Sequence, residues 1–120
     1  SVEAVDTDQS IVIDLTNNYS PDEPMDRATE FIEYLLRYFD LYLFDHFPKP
    51  EDAKTADAVL ELFRKRENIE LFNKKAIYIY IREMTDQSTP QITKVIKKMK
   101  KIYVKLMNQY SEHGYVSMKF

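Results

Sequence analysis

From Ser88 to Tyr110 the chain carries one continuous amphipathic signal, and everything else has to accommodate it. Ser88 and Thr89 are hydroxyl residues of the kind that cap a helix, and Pro90 suits a first turn, where its missing N–H is no loss. Ile92, Ile96, Met99, Tyr103, Leu106 and Tyr110 then recur at heptad spacing, and Val95, Ile102 and Met107 widen the seam. Lys94, Lys97, Lys98, Lys100, Lys101 and Lys105 all avoid it. Such a helix needs an apolar partner along one side and solvent or counter-charge along the other. Gly114, the only glycine, falls where the helix should stop.

Three upstream segments offer the apolar partner. The first helix is expected from about Pro24–Asp26 to Phe47, with Asp22, Glu23 and Asp26 favouring its positive N-terminus. Only Glu33, Arg37 and Asp40 form a polar stripe on it, so it should be enclosed on most sides, as a central core helix or as a dimer interface. Pro48 and Pro50 end it. A second helix should run from about Glu51 to Arg66 on Ala56, Val59, Leu60, Leu62 and Phe63, with Arg64, Lys65 and Arg66 at its C-terminal end. A third should run from Leu71 to Met84 with Asn68 as a plausible cap, burying Leu71, Phe72, Ala76, Ile77, Tyr80, Ile81 and Met84. Residues 1–23 read as an acidic tail with one short β-branched strand, Ile11–Leu15, and 24–120 as the helical domain. Tyr115–Phe120 alternates and could pair with that strand. The expected fold is all-α, four helices with at most a two-stranded pair formed by the termini.

Composition excludes several classes of chemistry. With one glycine and no cysteine there is no glycine-rich phosphate loop, no disulfide and no thiolate metal site. His46 and His113 have no ligand-like spacing and the carboxylates scatter over caps and exposed faces, so neither catalysis nor a metal or other cofactor is expected. No leader-like or membrane-length apolar run is visible, which favours a cytoplasmic, nucleoid or nuclear setting without membrane association. The net charge of −3 conceals a division: residues 1–60 hold 14 Asp and Glu against 4 Lys and Arg, and residues 61–120 hold 6 against 13. A polyanion responds to a local basic face, not to the total.

The stretch Leu71–Tyr110 is therefore two helices joined by the short polar turn Thr85-Asp86-Gln87-Ser88, the arrangement of a helix-turn-helix. Thr89, Ile92, Thr93-Lys94, Val95-Ile96 and Met99 resemble the start of the recognition helix in winged-helix and related helix-turn-helix regulators, which show a hydroxyl cap, an apolar residue, a Ser/Thr-Arg/Lys pair and further apolar anchors. Two positions depart from the pattern: Asp86 stands where many such turns have glycine, and Arg82 where a small residue is usual. The resemblance implies binding of double-stranded DNA, in transcriptional regulation or a similar DNA transaction, with Gln91, Thr93, Lys94, Lys97, Lys98 and Lys101 facing the groove and its phosphates. The alternative is a protein-interaction or oligomerisation domain, a homodimer formed through the 26–47 helix or the 92–110 seam, with solubilising lysines. Asp6–Thr16 also resembles a SUMO-interacting motif, an aliphatic strand flanked by acids, although an ordinary edge strand has the same pattern.

Overall fold

The computed structural model describes residues 26–65 and 74–120. The acidic stretch 1–23, the Ile11–Leu15 strand with its SUMO-interacting pattern, the Asn68 cap, Leu71 and Phe72 lie outside the described residues. Within them the chain is all-α: α1 (Arg27–His46), α2 (Pro50–Arg64), α3 (Lys74–Thr85) and α4 (Thr89–His113).

Local chemistry accounts for the helix ends. The Asp26 carboxylate accepts from Thr29 N at 2.8 Å, which starts α1 and holds that carboxyl below its usual range. Phe47 N donates to Leu43 O at 2.8 Å as α1 ends, and Pro48 prevents its continuation. Pro50 opens α2 without a side-chain cap, and Glu51 and Asp52 fill its first turn. Ser88 Oγ accepts from Gln91 N at 3.4 Å to open α4, and Gly114 closes it at φ 78°, in the left-handed region.

The helix enclosed on most sides is α2, not α1. Asp52, Ala53, Thr55, Ala56, Ala58, Val59, Leu60, Leu62 and Phe63 are all buried, and α2 packs against α1, α3 and α4. Its three buried alanines let these neighbours approach closely, and the Thr55 hydroxyl satisfies itself on Glu51 O at 3.1 Å. By contrast α1 buries Phe31, Ile32, Leu35, Tyr38 and Phe39 and leaves an outer face on which Glu33, Arg37, Asp40, Leu41 and Phe44 are exposed. The expected polar stripe is there, and it is wider than the polar residues alone suggest.

The α4 seam closes the core. Ile92, Val95, Ile96, Met99, Ile102, Leu106 and Tyr110 are buried, and the half-buried Tyr103 meets Phe31 edge-on at 5.3 Å. Tyr110 OH donates to Glu30 Oε1 at 2.9 Å, while Lys98 Nζ donates to His46 O, so α1 and α4 run antiparallel. In α3, Ile77, Tyr78 and Ile81 are buried, but Met84 is 48% exposed, and the adjacent Thr85, 2% exposed, takes the core-facing position at the end of the helix. The segment 116–120, which follows the bend at Gly114 and Tyr115, is neither helix nor strand. It lies back on α1, with Val116 buried, Tyr42 OH donating to Met118 O, and the Phe120 ring 5.0 Å from His46.

Candidate nucleic-acid interface

The junction between α3 and α4 is only Asp86, Gln87 and Ser88. A connection this short needs one residue in the left-handed region, and Asp86 takes it at φ 59°. Aspartate is one of the few residues besides glycine that tolerates this conformation, so the apparent departure at Asp86 preserves the backbone shape. The buried Thr85 hydroxyl donates to Ile81 O at 2.7 Å and accepts from Gln87 N at 3.3 Å, bracing the same turn. Arg82 is exposed.

Beyond the turn, the six expected site residues divide into three groups. Lys94, Lys97 and Lys101 are exposed and project from the outer side of α4, joined there by Lys105. From Lys94 to Lys105 they cover eleven residue steps, about 16 Å of helix axis. None of the four is ion-paired with another described residue. A shallow groove of about 850 Å³ runs beside them, lined by Thr89, Pro90, Thr93, Lys94, Lys97, Lys98 and Lys101.

Lys98 is also exposed but is already engaged. Its ammonium meets the His46 carbonyl at the C-terminal end of α1 and lies 5.1 Å from the centre of the Phe47 ring. A cation there meets the negative end of the α1 dipole and an aromatic face, so Lys98 fastens α1 to α4. It also borders a smaller cavity of about 270 Å³ between the α1–α2 turn and α4, which Lys49 and Lys94 share. Lys49 is a basic neighbour that the helix pattern of α4 could not reveal, since it comes from the α1–α2 turn.

Gln91 and Thr93 do not stand with the lysines. Both are half-buried. Gln91 Nε2 donates to Asp52 Oδ1 on α2 at 2.7 Å, and Thr93 Oγ1 is 2.8 Å from Tyr78 OH on α3. These two polar side chains, expected to face the groove, seat the N-terminal half of α4 on its neighbours. Their chemistry was legible in the sequence, but their partners, 39 and 15 positions away, were not.

No group of His, Asp or Glu among the described residues is arranged to hold a metal ion, and no described helix is long and apolar enough to cross a membrane. Comparison with protein families, with curated proteins and with solved structures finds no match to this chain.

Proposed function

We propose that this domain binds double-stranded DNA through the outer side of α4, gripping phosphates with Lys94, Lys97, Lys101 and Lys105. The observation that carries the reading is the row of four exposed cations along about 16 Å of one helix, none of them ion-paired with a described residue. The short α3–α4 turn, with Asp86 in the left-handed region, supports a helix-turn-helix in which α4 is the presented helix. With the polar groups of Gln91 and Thr93 engaged inside the domain, the proposed contact is to the backbone first, with weak discrimination between base sequences. Transcriptional regulation is the setting we favour.

The test is a fluorescence titration of generic duplex DNA with the full chain at several salt concentrations. Four phosphate contacts should make log K fall against log salt with a slope of about −3.6. No detectable affinity at low salt would refute the reading.

A second reading, homodimerisation, keeps one observation in its favour: Leu41 and Phe44 on the outer face of α1 are 56% and 70% exposed. The α4 seam offers nothing comparable, because this chain's own core fills it.

A further inference from the structure

The lysine row has a second candidate occupant within the same chain. Residues 1–25 carry Glu3, Asp6, Asp8, Asp14, Asp22 and Glu23 and no lysine, arginine or histidine, whereas residues 26–120 hold 17 Lys and Arg against 14 Asp and Glu. The acidic stretch is joined to the domain at a definite place. Asp26 caps α1, and the next residue, Arg27, lies 5.4 Å from the centre of the Tyr110 ring, so the start of α1 stands beside the C-terminal part of α4.

Distance permits contact. From Tyr110 back to Lys94 is sixteen residue steps, about 24 Å of helix axis. The twelve residues from Asp14 to Met25 can span up to about 40 Å, which leaves room to pass around the helix. Asp14, Asp8 and Asp6 can therefore all reach the row between Lys94 and Lys105. The apolar side chains of Ile11, Val12 and Ile13 lie between these acids, and the same side of α4 exposes Val104, 46% accessible, among its lysines. The stretch thus offers acids on both sides of an aliphatic run, and the helix offers lysines around an exposed valine.

We infer that the acidic segment around Asp6–Asp14 docks on the lysine side of α4 within one chain and competes there with nucleic-acid phosphate. The competition rests on the polyanion-binding reading of that side; the docking itself does not. Each exposed ion pair is weak, but a tethered segment acts at an effective concentration in the millimolar range, and several weak contacts then suffice.

Two measurements on the full chain test this separately. Carbodiimide coupling joins a carboxylate to an amine only where the two touch. Mass spectrometry should find Asp6, Asp8 or Asp14 joined to Lys94, Lys97, Lys101 or Lys105 within one chain at low salt, with the links lost at about 1 M salt, where screening is nearly complete. In the second arm, the full chain carrying Asp6→Asn, Asp8→Asn and Asp14→Asn should bind duplex DNA roughly three- to tenfold more tightly than the parent at low salt. An absence of links, or links found only between isotopically distinct chains, overturns the docking whatever the DNA result. Links accompanied by unchanged DNA affinity overturn the competition. Links in a protein that binds no DNA leave the docking in place and refute the DNA reading instead.

Discussion

Gln91 Nε2 donates to Asp52 Oδ1 at 2.7 Å, joining the first turn of α4 to the first turn of α2. Asp52 is only 8% exposed, so its carboxylate depends on this carboxamide and on the positive end of α2 in place of water. Truncating Gln91→Ala strands the carboxylate, and urea denaturation should show a loss of about 1–3 kcal/mol. The paired change Gln91→Ala with Asp52→Ala should cost less than the sum of the two single changes. If Gln91 is a seat and not a base reader, Gln91→Ala should also alter affinity for unrelated duplexes by the same factor.

The lysines of α4 should separate into two behaviours. Lys94→Gln, Lys97→Gln and Lys101→Gln each remove a solvent-facing cation, so stability should stay within about 0.5 kcal/mol of the parent. Each should make the salt slope of DNA binding shallower by about one. Lys98→Gln should instead lower stability by about 0.5–1 kcal/mol, because its ammonium sits against the Phe47 ring and the His46 carbonyl. Thermal melts beside salt-dependent titrations distinguish the two.

His46 should make the domain sensitive to mild acid. Burial lowers its pKa, and the charges of Lys98 and Lys105 push the same way against the opposing effect of Asp45. The neutral ring is within hydrogen-bond distance of Tyr38 OH, at 2.8 Å, and packs beside Phe120. Because the folded-state pKa lies below the unfolded value of about 6.5, the contribution is complete above that value and is lost as pH falls through the folded pKa. Between about pH 7 and pH 5 the melting temperature should therefore fall, and a His46→Gln variant should show a smaller fall over this window. An equal fall in both proteins would refute the assignment to His46.

Among the described residues, the four helices and the ends fixed by Asp26, Pro50, Ser88 and Gly114 were readable, because each of these residues acts within a turn of its own position. What could not be read was the ranking of faces. The first helix looked the most enclosed because aromatic residues dominate it, yet α2 is central, because Ala53, Ala56 and Ala58 give three neighbouring helices room. Leu41 and Phe44 have the hydropathy of core residues and stand in solvent, since nothing in a single helix's period says how many neighbours it will have. The candidate site divides along the same line. A lysine's exposure follows from the seam it avoids, whereas Gln91 and Thr93 are compatible with either a groove or an interior partner, and only the packing of α2 and α3 decides.

Asp86 tests the short turn. At φ 59° an L-residue other than glycine is strained, so Asp86→Gly should stabilise the domain by about 0.5–1 kcal/mol and Asp86→Val should destabilise it. Gly114 at φ 78° offers the converse. A β-carbon there would meet nothing within 4 Å, so the roughly 1 kcal/mol expected for Gly114→Ala would be backbone strain alone. Chemical denaturation of the three variants checks both signs.

Leu106 and Phe44 separate a core from an interface. Leu106 is 1% exposed within this chain's own core, so Leu106→Ala should cost about 2–5 kcal/mol in a monomer with no partner present. Phe44 is 70% exposed, and Phe44→Glu in a monomer should change stability by no more than about 0.5 kcal/mol. If the outer face of α1 joins two chains, the same substitution buries a charge against an apolar partner. Sedimentation of the parent should then show a dimer that Phe44→Glu converts to a monomer, with the melting temperature of the parent rising with protein concentration. A parent that sediments as a monomer at every concentration refutes the homodimer reading.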